Sequence, residues 1–289
     1  MKHREGYFFG ADATKLYYQN WQPEGEVKAI VVLIHGLGAH SGIFDNVVKF
    51  LGDRNYAVYG FDLRGHGRSG EQRGYINNWR EFREDLGVFL RLVKEQEPNL
   101  PLFIIAQSLG ATIALDYVLH YRDQVQGLVT LSPALSVRLS PLKLAIGRLL
   151  SRIYPRFSLH TGLDVAAGSR DPKKIAASIE DPLRHKRGTA RLATEFFRAV
   201  AWVKSHISEL QVPILILHGG ADKVTPAEDS QWLFGAINST DKELHIYPES
   251  YHELHNDLNY LEVLEDIEDW LARHLATISV ATEPIVKGV

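Results

Sequence analysis

The chain of 289 residues carries 32 Lys and Arg against 35 Asp and Glu, is 45% hydrophobic and 23% charged, and has no cysteine. This profile excludes disordered, collagenous, coiled-coil and disulfide-stapled chains, and it removes thiolate metal sites and a cysteine nucleophile. A net charge of −3 with no block of like sign gives no electrostatic footprint for nucleic acid.

At roughly 150 residues per domain the length allows one or two domains. Met1–Phe9 lacks the apolar run of about 7–15 residues that a secretory signal needs, so a cytoplasmic location is the default expectation. Tyr7–Phe9 and Leu16–Trp21 flank Gly10-Ala11-Asp12-Ala13 and predict an antiparallel hairpin. Strands follow at Ala29–Ile34, Tyr56–Phe61, Leu102–Ala106, Gly127–Leu131 and Ile214–Leu217, with an eighth at Leu244–Tyr247. Between them Phe82, Leu86, Phe89, Leu90 and Val93 recur with helical period. This alternation is the pattern of a mostly parallel sheet covered on both faces. The charge-free stretch Pro98–Leu115 is broken by Pro101, Gln107, Ser108 and Gly110, so it does not read as a membrane span.

From Ser136 to Ile207 the alternation stops; the segment is helical in pattern, rich in Arg and Lys, and without a strand candidate, so it reads as an insertion. Its first helix starts with Ser140 as N-cap and Pro141 at the first position. Leu142, Ala145, Ile146, Leu149, Leu150 and Ile153 make one stripe, with Lys143, Arg148 and Arg152 opposite and Pro155 at the end. A helix covering the core is the favoured reading, and a helix lying on an anionic lipid surface is the alternative. The last predicted helix places Leu261, Leu264, Ile267, Leu271 and Leu275 on one face with Arg273 and His274 in its final turn, and residues 276–289 follow as an aperiodic tail.

Ala106-Gln-Ser108-Leu-Gly110 is a small-residue turn between an apolar strand and a helix start, the place where a serine nucleophile is exposed above a sheet. Alternatively Ser108 merely N-caps the helix. A serine hydroxyl needs a histidine base and an orienting acid. Asp222 follows the strand Ile214–Leu217, with an Asx turn as its alternative role, and His252 and His255 both lie in the loop after the last strand. Spacing does not choose between the two histidines. His252-Glu-Leu-His255-Asn256 is not a zinc-binding H-E-x-x-H, and Gly65-His-Gly-Arg-Ser-Gly70 lacks the helix that a dinucleotide fingerprint requires. No metal or cofactor is therefore expected. The amides of Leu37, in the glycine-rich loop His35–Gly42, and of Leu109 are candidate donors to an oxyanion.

Taken with His35-Gly-Leu-Gly-Ala-His-Ser-Gly42, Asp62-Leu-Arg-Gly-His-Gly-Arg-Ser-Gly70, Asp181-Pro-Leu183, Gly219-Gly-Ala-Asp222 and Tyr251-His252, the sequence resembles the α/β-hydrolase superfamily over roughly residues 7–275. Within it the likeness is to the monoacylglycerol lipase and lysophospholipase-like group, also described as serine aminopeptidase S33-like. The resemblance implies an eight-stranded core formed by residues 1–135 and 208–275, a helical cap at 136–207, Ser108 as nucleophile, Asp222 as acid and His252 as base, since the group's histidine directly follows the tyrosine. It also implies Leu37 and Leu109 as oxyanion-hole amides. Asp62 and His66 are left out of the site because their loop looks structural. Ala106 stands where the group usually has glycine, and no cap cysteine is present. The implied activity is a cofactor-free serine ester hydrolase acting on a lipid-like ester, cytoplasmic or peripheral to a membrane, with transient membrane contact through the cap. Carbon–carbon bond hydrolysis, thioester hydrolysis, perhydrolysis, peptidase action and a non-catalytic binding module remain alternatives on the same fold.

Overall fold

The computed structural model describes residues 1–122, 125–136 and 141–282, apart from the side chains of 141–144 and 279–282. In chain order the first elements are β1 (Lys2–Phe9), β2 (Lys15–Gln22), β3 (Ala29–Ile34), α1 (Asp45–Gly52), β4 (Tyr56–Phe61), α2 (Arg80–Gln96), β5 (Leu102–Gln107), α3 (Leu109–His120) and β6 (Gly127–Leu131). There follow α4 (Pro141–Ile153), β7 (Ser158–His160), α5 (Pro172–Glu180), β8 (Arg187–Thr189) and α6 (Ala190–His206). The chain closes with β9 (Ile214–Gly219), α7 (Ala227–Ala236), β10 (Lys242–Tyr247) and α8 (Tyr260–Thr282).

Eight strands form one sheet in the order β1-β2-β4-β3-β5-β6-β9-β10. The β1–β2 hairpin and the β2–β4 pair are antiparallel, and every pairing from β4 to β10 is parallel. The expected α/β architecture is thus observed. Period-2 alternation divides β3 between two cores: Ile30, Val32 and Ile34 pack with α2, α3 and α6, whereas Ala29, Val31 and Leu33 pack with α1 and α8. Burial on both faces explains why the parallel strands read as unbroken aliphatic runs. The connection after β3 goes to β4 on one side, while β5 lies on the other, so the loops leaving β3 and β5 diverge and open a crevice at the carboxyl edge of the sheet.

Three expectations need correction. First, the segment between β6 and β9 contains strand after all: β7 and β8 pair antiparallel as a separate ribbon. Second, the apolar stripe of α4 does not cover the core. Ile146, Leu149 and Ile153 are 49%, 58% and 69% exposed, while Ser151 on the opposite side is buried. The helix packs against α6; Ser140, expected as its cap, lies outside the described residues. Third, α8 continues through Thr282 because Leu275 and Ile278 extend its inward face, so Arg273 and His274 sit well before its end and instead bond Glu243 and Asp241 beside β10. Leu261 is exposed, and Val263 and Trp270 complete the buried face that it was expected to join. The remainder of the expected tail, 283–289, is outside the described residues.

Candidate active site

At the end of β5 the chain turns into α3 through Ser108, whose φ of 55° and ψ of −118° place a non-glycine residue in the left-handed half of conformational space. Such a conformation costs on the order of 1–3 kcal/mol and persists only where the surroundings enforce it. Here the Ser108 N–H donates to Leu131 O at 3.0 Å and Ser108 O accepts from Ala111 N at 3.0 Å, so β6 and α3 hold the turn from both sides. The hydroxyl makes no capping bond to the helix, which removes the N-cap alternative. Leu109 opens α3, and its N–H is one of the helix donors that have no intrahelical acceptor. Opposite it runs the loop after β3. A Cβ on Gly36 would meet Gln107 Oε1 at 2.4 Å and crowd Ser108 Cβ at 3.0 Å, so glycine lets this loop lie against the turn without displacing the Gln107 side chain, and Leu37 reaches the same cavity.

Asp222 and His252 come from the loops after the neighbouring parallel strands β9 and β10, and His252 Nδ1 lies 2.7 Å from Asp222 Oδ2. The two carboxylate oxygens are differently occupied. Oδ1 accepts from the Val224 and Thr225 amides at 2.7 and 3.0 Å, the Asx-turn pattern, while Oδ2 faces His252 and accepts from Thr225 Oγ1 at 2.9 Å. Asp222 therefore serves the turn and the histidine at once. Facing a carboxylate, Nδ1 of His252 carries the proton, which leaves Nε2 as the acceptor nitrogen.

His218, near the end of β9, touches the same carboxylate. Its Nε2 lies 3.1 Å from the Thr225 carbonyl and 3.3 Å from Asp222 Oδ2, and Nδ1 is 2.7 Å from Ser230 Oγ. A carbonyl and a carboxylate both require a donor, so Nε2–H is the tautomer and Ser230 donates to Nδ1. Burial by itself would raise the Asp222 pKa, but hydrogen bonds from His218, His252 and the Val224 amide hold it well below the usual carboxylate range.

Ser108, His252 and Leu37 line one cavity of about 240 Å³. Among the described residues Ser108 Oγ makes no hydrogen bond to His252; in sites without substrate such contacts are commonly long. The apolar walls include Leu163, Val165 and Ile179, and Asp164, Asp181 and Lys186 add polar groups, all from the segment between β6 and β9. His255 is elsewhere: it is buried, its ring lies tilted against Phe44 at 4.7 Å between ring centroids, and neither ring nitrogen has a hydrogen-bond partner among the described residues. The Asp62 carboxylate accepts from Ser41 and Arg68, which makes its loop a structural brace as expected.

Burial lowers the His255 pKa to about 4. The unfolded chain, titrating near 6.5, then binds more protons between those values, so this contribution to stability is full above pH 6.5 and is lost as the pH falls towards 4. His255→Leu, nearly equal in volume, is expected to reduce the difference in unfolding free energy between pH 7 and pH 5 by about 2 kcal/mol, as read by urea melts. An unchanged difference would show that His255 is not held neutral.

A family model for serine aminopeptidase, S33, matches residues 25–259. The chain is 31% identical over 271 residues to a monoacylglycerol lipase from Mycolicibacterium smegmatis, covering 93% of this chain and 96% of that one. Among solved structures, it is similar to a monoacylglycerol lipase from Paleococcus ferrophilus, with a TM-score of 0.80, 30% identity and coverage of 95% and 100% of the two chains. It is also similar to a soluble variant of the Saccharomyces cerevisiae monoglyceride lipase in complex with a substrate analog, with a TM-score of 0.84, 26% identity and coverage of 93% and 94%.

Proposed function

The chain belongs to the serine aminopeptidase S33 family of α/β-hydrolases, and on that premise we propose that it is a serine ester hydrolase that cleaves lipid-like esters, monoacylglycerols foremost and lysophospholipids as a related class. The observation that carries the reading is that His252, held by Asp222 at 2.7 Å, shares one cavity with a serine held in a left-handed turn. In this reading Ser108 Oγ attacks the ester carbonyl while His252 Nε2 takes its proton. The tetrahedral oxyanion is met by the Leu37 and Leu109 amides. Collapse breaks the bond to the alcohol, which leaves with the proton from Nε2, and water repeats the cycle to release the acid and restore Ser108. Asp222 keeps the proton on Nδ1 and stabilises the imidazolium.

Residues 1–135 and 208–275 act as the hydrolase core and 136–207 as its cap. Leu163, Val165 and Ile179 would take the acyl chain, and the polar groups beside them suit a hydroxylated alcohol. The exposed stripe Ile146, Leu149 and Ile153, on a helix that also exposes Arg148 and Arg152, supports a peripheral encounter of α4 with an anionic lipid surface. No helix among the described residues is long and apolar enough to cross a membrane.

The test has two arms. A fluorophosphonate probe should form an adduct on Ser108, and kcat/KM on nitrophenyl esters should rise about fourfold per methylene until the cavity is filled. No adduct in folded protein would favour a non-catalytic module, and no rise beyond acetate would overturn the lipid reading. In the second arm, changing Ile146, Leu149 and Ile153 to Ser should lower hydrolysis of monoacylglycerol in anionic vesicles while sparing a soluble ester. Equal rates on vesicles would remove α4 from lipid contact.

A further inference from the structure

We infer that Arg184 is a positioning residue for the reaction: its buried ion pair with Glu253 fixes the loop that carries His252 against the loop that carries Leu37. The inference rests on the triad proposed above. It starts from the stretch Asp181–His185, between α5 and β8, which reaches both loops.

At its start Asp181 Oδ2 lies 2.7 Å from His40 Nε2, and Nδ1 of the same ring accepts from the Gly42 amide at 3.1 Å, which places the proton on Nε2 and makes it the donor. At its end the His185 N–H donates to Gly38 O at 2.9 Å. Gly38 has φ +74°, and a Cβ there would come within 2.1 Å of His185 O, so the two backbones are in direct contact one residue from Leu37.

Between these anchors Arg184 forks onto Glu253, Nη1 to Oε1 at 2.8 Å and Nη2 to Oε2 at 3.1 Å. Glu253 directly follows His252, and its own N–H donates to Gly168 O at 2.7 Å. The two side chains are only 16% and 13% exposed. Burial alone would raise the Glu253 pKa, and the Arg184 guanidinium brings it down to about 2, so the pair is ionic.

An apolar pair could seal this junction as well or better, because desolvating two charges often cancels what their attraction returns. What a two-pronged guanidinium–carboxylate contact adds is a fixed distance and a fixed plane. Here that plane joins a segment already bonded to Gly38 with the residue next to His252. Arg184 and Glu253 themselves border the cavity that holds Ser108 and His252, and displacement of a reacting group by about 1 Å can cost about 100-fold in rate, which sets the size of the expected effect.

The experiment uses the full chain and a soluble nitrophenyl ester. Wild type is first shown to turn over and to be labelled at Ser108 by a fluorophosphonate; failure there overturns the triad reading and this inference with it, whereas the following outcomes bear on Arg184 alone. Arg184→Met is expected to lower kcat by about 100-fold with KM within about twofold, and Arg184→Lys to recover part of the loss, since lysine supplies the charge without the fork. Adding Glu253→Gln to Arg184→Met removes the stranded buried anion, so the melting temperature should recover while kcat stays low.

Arg156→Met is the control, because the Arg156–Glu71 contact at 2.8 Å is another ion pair to a core loop, 51% exposed on the arginine and apart from the site loops, and its loss should leave kcat unchanged. Recovery of kcat together with melting temperature in the double variant would overturn the inference, as would an unchanged kcat in Arg184→Met. A rise in KM alone would reassign Arg184 to substrate binding. Should Arg184→Met fail to fold, the double variant and Arg184→Lys decide by the same criteria.

Discussion

Replacing Ser108 with alanine is expected to lower kcat on a soluble ester by about 10⁶-fold while leaving KM and the fold nearly unchanged. The fold should survive because the hydroxyl makes no capping bond to α3, so its removal strands no buried partner. Backbone strain at φ 55° is present with either residue, and alanine is no worse suited to it than serine. Stability should therefore move by less than about 0.5 kcal/mol. What disappears is the oxygen that forms the acyl bond, and the remaining amide donors have nothing covalent to stabilise. The loss is checked by kcat, by the disappearance of a pre-steady-state burst of alcohol, and by the absence of a fluorophosphonate adduct. Retention of a burst would remove Ser108 from the mechanism whatever the steady-state rate.

The central strands were legible in the sequence because burial on both faces makes them apolar runs, and the sheet edge was legible because Ser108 and Asp222 follow such runs, whereas His252 follows the half-buried, partly polar edge strand β10. Periodicity stops informing once it has said that a helix has an apolar side. For α4 it could not say which neighbour, if any, covers Ile146 and Leu149. β7 and β8 are three residues each and pair across an intervening helix, too short for alternation to register. Choosing between His252 and His255 was beyond spacing, since the 3₁₀ turn Leu254–Asn256 sends one ring to Asp222 and the other against Phe44. The Arg184–Glu253 pair spans 69 positions, and neither residue stands in a motif that names the other. His218 was hidden in plain view: its ring meets Asp222 only because the loop between them folds back.

Asp222→Asn is expected to lower kcat by about 10⁴-fold with little change in KM, and the reason lies in which oxygen is replaced. Oδ1 accepts two backbone amides, from Val224 and Thr225, so the asparagine carbonyl must occupy that side. A reversed amide would set its NH₂ against two N–H donors and leave all of them unpaired. The NH₂ is thereby forced into the Oδ2 position, 2.7 Å from His252 Nδ1 and beside the Nε2–H of His218. Two donors cannot face each other, so Nδ1 must give up its proton and become the acceptor, which moves the proton of neutral His252 to Nε2. That nitrogen then has no lone pair with which to take the proton from Ser108, and the imidazolium that would follow has lost its counter-charge. Nitrogen-15 chemical shifts of the His252 ring should show Nδ1 unprotonated in the variant and protonated in the wild type, alongside the fall in kcat. A variant that keeps the proton on Nδ1 and loses less than about tenfold in kcat would show that Asp222 neither orients the ring nor stabilises its charge.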